Sequence, residues 1–120
     1  MVLAVVDDLL FRSKIRATAK AVGVDVTFVA AGGILEHART HQPSLVIIDL
    51  NGDKGDPIGA IAALKQDTES ASRRTLAFVS HVHTGLIQAA RSAGADEVMA
   101  RSAFASQLAD ILLTDRAVKP

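Results

Sequence analysis

At 120 residues, 49% of them hydrophobic, the chain is long enough for one well-packed domain and too short for two. Its 13 basic and 13 acidic residues cancel, which leaves no electrostatic footprint for DNA or RNA, and the absence of cysteine excludes disulfides and thiolate metal centres. With four Phe and no Trp or Tyr, the core must be aliphatic.

The chain opens on Val2, Leu3, Ala4, Val5 and Val6, a run far too short for a membrane span. No basic stretch precedes it and Asp7 and Asp8 follow it, so it reads as a buried strand and not as a signal peptide. Similar short apolar runs recur at 24–30, 45–48, 76–80 and 97–100. They lack polar alternation, as parallel strands covered on both faces do. Helical patterns fill the gaps, near 9–22, 33–41, 57–67, 84–93 and 103–114. Phe11, Ile15, Ala19 and Val22 fall on one side of the first helix, and Phe104, Leu108, Ile111 and Leu112 on one side of the last. Gly23 and Gly94 are placed to end helices, Ser102 to cap the last one, and Asp56-Pro57 to start the third. Five strand–helix units predict a doubly wound α/β fold, (βα)5, with one five-stranded parallel sheet and helices on both faces. Strand order is not encoded in the periodicity. With no linker or low-complexity tract, residues 1–120 read as one domain, which either acts alone or has had an output domain cut from it.

In a parallel sheet all strand C-termini open on one edge, and ligands bind there. Here the first strand ends at Asp7-Asp8, the third at Asp49, the fourth at Ser80, and the fifth runs into Arg101. Three converging carboxylates call for a cation, and hard oxygen donors suit Mg2+. An Asp-Asp pair after a strand also serves as a plain N-cap with a favourable charge at a helix start. The sequence has no glycine-rich phosphate loop, which counts against nucleotide binding.

Val5-Val6-Asp7-Asp8, Val46-Ile47-Ile48-Asp49-Leu50, Phe78-Val79-Ser80 and Ala93-Gly94-Ala95-Asp96-Glu97 come in the order and spacing of the response-regulator receiver family, which the chain resembles over essentially its whole length. The resemblance implies strand order 2-1-3-4-5 and a two-component phosphorelay function: a phosphoryl group accepted on Asp49 from a partner phosphohistidine in a Mg2+-dependent reaction, and lost by hydrolysis. It implies that Asp7, Asp8, Asp49 and the backbone carbonyl of Asn51 hold the Mg2+, and that Ser80 contacts the phosphoryl group. A self-modifying domain of this kind is not an enzyme in the turnover sense. The implied partners are a sensor histidine kinase or histidine phosphotransfer protein and a downstream protein target, with no nucleic acid or membrane contact and room for a homodimer; the implied location is the cytoplasm.

The sequence departs from the family where switching takes place. Arg101 stands for the lysine that ends the fifth strand, and Ser102 for the following proline, which normally carries a cis bond. Such a bond before a non-proline costs roughly 2.5–4 kcal/mol, so a trans 101–102 peptide and a displaced loop are expected. Val98 stands for the switch aromatic, His81 for a small residue, where it would partly cover the pocket, and Gly52-Asp53 for a Met-Pro turn. These changes keep a rival reading open: a receiver-like docking or dimerisation module that works without phosphorylation. Arg101 itself has two placements, in the pocket or pointing away from it beside Ser102. The pairs His81/His83 and His37/His41 are more simply local or solvated side chains than metal ligands. Leu9, Arg16 and Lys20, with Arg12 on the flank, form an outward face on the first helix, either a solvated charged surface or the docking face for the phosphodonor.

Overall fold

The computed structural model describes residues 1–52, 55–80 and 83–118. Strands and helices alternate along it: β1 Val2–Val5, α1 Leu9–Val22, β2 Val26–Phe28, α2 Ile34–His41, β3 Leu45–Asp49, α3 Pro57–Gln66, β4 Arg74–Val79, α4 Thr84–Ala93, β5 Glu97–Ala100 and α5 Arg101–Val118. The strands pair in parallel in the order β2-β1-β3-β4-β5, as expected from the family resemblance.

Strand side chains alternate between two cores, because successive residues of a strand point to opposite faces. Leu3, Val5, Val46, Ile48, Ala77 and Val79 pack with residues of α2, α3 and α4. Val2, Ala4, Leu45, Ile47, Leu76 and Phe78 pack with Phe11, Ile15 and Ala19 of α1 and Phe104, Leu108, Ile111 and Leu112 of α5. Both helical stripes expected from sequence are therefore buried, except that Val22 is only partly so. The second core also holds an aromatic cluster: Phe78 and Phe104 stack with centroids 4.5 Å apart, and Phe11 lies 5.1 Å from Phe78. By the same alternation Asp49 continues the Leu45, Ile47 side, toward α1 and α5, and it pairs in register with Phe78.

The expected punctuation holds in most places. Gly23 and Gly94 end α1 and α4 in the left-handed conformation, and Asp56 caps α3 with Pro57 at its first position. The last helix is the exception. It starts at Arg101, directly after β5, so Ser102 sits inside its first turn and is not its N-cap, and there is no intervening loop. The 101–102 peptide is trans, as expected. Element ends shift elsewhere. β2 shrinks to three residues, because an edge strand pairs only as far as β1 reaches it. β4 starts at Arg74, opposite Leu45, and ends before Ser80. A 3-10 turn, Ala31–Gly33, precedes α2.

Candidate functional site

The site is built on strand ends. Asp49 is the last residue of β3 and only 6% exposed. The Asn51 backbone N–H donates to its Oδ1 at 2.9 Å. The β3 and β4 ends stay in step past the sheet: Leu50 N–H donates to the Phe78 carbonyl at 2.9 Å, and the Ser80 N–H donates to the Asn51 side-chain oxygen. Asn51 thus positions Asp49 with its backbone and Ser80 with its side chain. The Ser80 link was not foreseeable, since 29 positions separate the two residues and only the strand register joins them.

Asp8 ends the β1–α1 connection as the N-cap of α1. Its backbone is extended, and its Oδ1 accepts the Phe11 N–H at 2.9 Å. The plain N-cap reading of Asp8 is therefore realised. Its other oxygen, Oδ2, accepts from Arg101 Nη2 at 3.0 Å, with both side chains partly exposed (40% and 31%). Arg101 thus lies at the start of α1, paired with Asp8. Its guanidinium also lies 4.5 Å above the Phe11 ring, where a cation is attracted by the π face. Asp7 is half-buried. A Cβ added at Gly52 would meet Asp7 Oδ2 at 3.2 Å and the Asp49 carbonyl oxygen at 3.5 Å, so the β1 and β3 loops meet closely at a residue without a side chain.

Electrostatics follow from these contacts. The Phe11 N–H, and after it the Arg101 guanidinium, holds the Asp8 carboxyl below the usual carboxylate range. Burial pushes Asp49 up; its bond from Asn51 and the charge of Arg101 oppose the rise, and the neighbouring Asp7 and Asp8 add to it. Asp49 is thus a buried carboxyl within the field of two acids and one guanidinium.

For a divalent cation the donor chemistry fits and the arrangement does not. Asp7, Asp8 and Asp49 are hard oxygen donors, yet among the described residues no three acidic or histidine side chains are grouped so as to hold a metal ion. Both Asp8 oxygens are engaged, one by the helix cap and one by Arg101.

The remaining sequence candidates resolve locally. His83 caps α4, its Nδ1 accepting the Leu86 N–H at 3.4 Å. His37 and His41 stack on each other, ring centroids 5.8 Å apart. His81 and Asp53 lie outside the described residues. Val98 is half-buried against the α4-side core. On α1, Leu9 is 75% exposed and Leu10, absent from the sequence expectation, 85%. Arg12 and Arg16 both lie over the Phe28 ring, and Arg12 also donates to the Val6 carbonyl. No described helix is long and apolar enough to cross a membrane.

No family model and no curated protein matches the chain in sequence. The solved structures it matches in fold are response-regulator receiver domains. The chemotaxis response regulator CheY4 of Vibrio cholerae matches with a TM-score of 0.80 and 19% identity, over 95% of this chain and 96% of that one. The receiver domain of a sensor histidine kinase from Pseudomonas aeruginosa, solved with a magnesium ion in its active-site cleft, has a TM-score of 0.81 and 19% identity, over 94% and 93%. The phosphorylated cyanobacterial phytochrome response regulator RcpA has a TM-score of 0.77 and 21% identity, over 94% and 88%. At these identities the likeness is one of fold.

Proposed function

We propose that this chain is a two-component receiver that takes a phosphoryl group onto Asp49. The observation that carries the reading is the placement of Asp49: buried at the C-terminal edge of a parallel sheet, fixed by the Asn51 N–H, and within the electrostatic reach of Asp7, Asp8 and Arg101. In the transfer, an Asp49 carboxylate oxygen attacks the phosphorus of a partner's phosphohistidine. The P–N bond breaks, its electron pair stays on the imidazole nitrogen, and that nitrogen takes up a proton. Water later attacks the phosphorus, releasing phosphate and restoring the carboxylate, so the domain is modified and reset without catalysing turnover of a free substrate.

Ser80 stands at the height of Asn51 and offers a hydroxyl to the phosphoryl oxygens; Arg101 offers a guanidinium suited to paired phosphoryl contacts. The family resemblance implies Mg2+ held by Asp7, Asp8, Asp49 and the Asn51 carbonyl; as these groups stand they do not gather around one point, and the steps of the transfer are carried by the chain's own residues. The phosphodonor docks on α1, where Leu9 and Leu10 are exposed beside a basic face. Residues 1–120 act as one receiver domain in the cytoplasm.

The test is intact mass after incubation with acetyl phosphate and Mg2+, and separately with a phosphohistidine donor. The wild type should gain one phosphoryl group and Asp49→Asn none. A wild type unlabelled by both donors would overturn the phosphoacceptor reading and leave a docking or dimerisation module.

A further inference from the structure

We propose that the chain carries a second ligand site at the pole of the sheet opposite Asp49: a cleft between the end of α2 and the α3–β4 turn, where Arg73 binds a small monocarboxylate. The cleft holds about 250 Å3 and is lined by Ala38, Arg39, Gln42, Glu69 and Arg73. Arg73 directly precedes β4, at the N-terminal edge of the parallel sheet, whereas Asp49 ends β3 at the C-terminal edge. The inference therefore stands apart from the phosphoacceptor reading.

The carrying observation is an unmatched donor. Arg73 Nε is buried without a hydrogen-bond partner, and among the described residues the guanidinium pairs with no carboxylate. Buried polar groups nearly always find a partner, so a charged donor left without one calls for an acceptor. The nearby acids are committed elsewhere: Asp67 pairs with Arg39 Nη2, and Glu69 Oε2 lies 3.6 Å from Arg39 Nε. The turn that presents Arg73 is fixed through its backbone. The Arg73 N–H donates to the Ser70 carbonyl at 3.0 Å, and Lys65 Nζ donates to the carbonyls of Ala71 and Arg73 at 3.2 and 3.3 Å. These contacts hold the residue at the cleft and leave its guanidinium N–H groups unused.

The lining selects the ligand. Nε–H and the neighbouring Nη–H form one edge of the guanidinium fork, and that edge matches the two oxygens of a carboxylate. Gln42, exposed at the left-handed C-cap of α2, adds an amide to the cleft. One guanidinium without a counter-charge calls for one negative charge, and the exposed Glu69 at the rim would repel a second. The volume is that of about eight waters, which suits an acid of a few carbon atoms.

The test is an NMR titration of the 15N-labelled protein with butyrate, at an ionic strength held constant with sodium chloride and without a phosphodonor. The amides of Ala38, Gln42 and Arg73 and the Arg73 Nε–H should shift together on one saturating curve. Neutral butyramide should leave them still, and inorganic phosphate should bind more weakly than butyrate. Arg73→Gln should lower the butyrate affinity about tenfold, or about 1.4 kcal/mol. Gln42→Glu keeps Arg73 and changes an exposed side chain; by adding an acid to the cleft it should also weaken binding, and Glu69→Gln should strengthen it about twofold. Arg91→Gln removes an exposed arginine of α4 and should change nothing. Missing butyrate shifts, equal shifts with butyramide, or an unchanged affinity in Arg73→Gln with native far-UV circular dichroism would each overturn the site and leave Arg73 Nε bonded to water alone. Phosphate binding more tightly than butyrate would overturn the carboxylate assignment. Should Arg73→Gln fail to fold, Gln42→Glu decides: an affinity equal to wild type there overturns the site.

Discussion

Replacing Asp49 with Asn should stabilise the protein at neutral pH in the absence of divalent cations. The two side chains have nearly the same shape, and the Asn oxygen can still accept the Asn51 N–H, so the change removes little but charge. Burial is the leading cause that raises Asp49 and the Asn51 N–H its leading opponent; the charge of Arg101 also opposes the rise, ahead of the smaller pushes from Asp7 and Asp8. Keeping a charged carboxylate buried costs about 2–3 kcal/mol relative to a neutral group of the same shape. Loss of the stronger hydrogen bond to a carboxylate offsets about 1 kcal/mol of the gain. The net gain is about 1–2 kcal/mol, or about 4–8 °C in Tm for a domain of this size.

The sign can be checked against pH. Asp49 has its pKa raised by the fold, so its neutral form favours folding. That contribution is fully present below the unfolded value of about 4 and is lost as pH rises through the folded pKa. The gap between Asp49→Asn and wild type should therefore close below about pH 4 and open toward neutrality. Urea unfolding followed by far-UV circular dichroism suits a protein with no Trp or Tyr. A gap independent of pH, or an Asn variant less stable than wild type near neutrality, would refute the reasoning.

Two further outcomes follow from local geometry. Asp8→Ala should be about 1 kcal/mol less stable than Asp8→Asn, because Asn keeps an oxygen for the Phe11 N–H and Ala does not; equal urea midpoints would show that the α1 cap adds nothing. Gly94→Ala should cost about 1–3 kcal/mol, because the backbone there has φ 115° and the new Cβ would stand 2.4 Å from Lys65 Cγ. Thermal melts within about a degree of wild type would mean that the turn relaxes freely.

Much of this architecture was legible because apolar runs and helical stripes obey different periods. Phe11, Ile15 and Ala19 lie where a 100° step puts them, and β5 has the bounds its sequence suggests. Strand order was not legible from pattern, since five similar runs carry no information on who neighbours whom; it came with the family resemblance. The short β2 and the early β4 reflect pairing partners, which a strand's own residues do not encode. At the pocket, each strand-end residue was visible as a polar stop after an apolar run. The bonds among them were not: Asn51 to Ser80 and Arg101 to Asp8 span 29 and 93 positions. Ser102 misled because Ser is a frequent N-cap, whereas α5 takes its start from the strand before it.

Phe11 belongs at once to the hydrophobic core and to the charged rim. Its ring fits the aromatic cluster with Phe78 and Phe104, its N–H holds Asp8, and its face carries the Arg101 guanidinium. The spacing of the two opposite charges is thus set by how one buried ring is seated. Sequence drift inside this core is therefore free only along paths that keep that ring in place, and the chemistry of the surface is inherited from the packing beneath it.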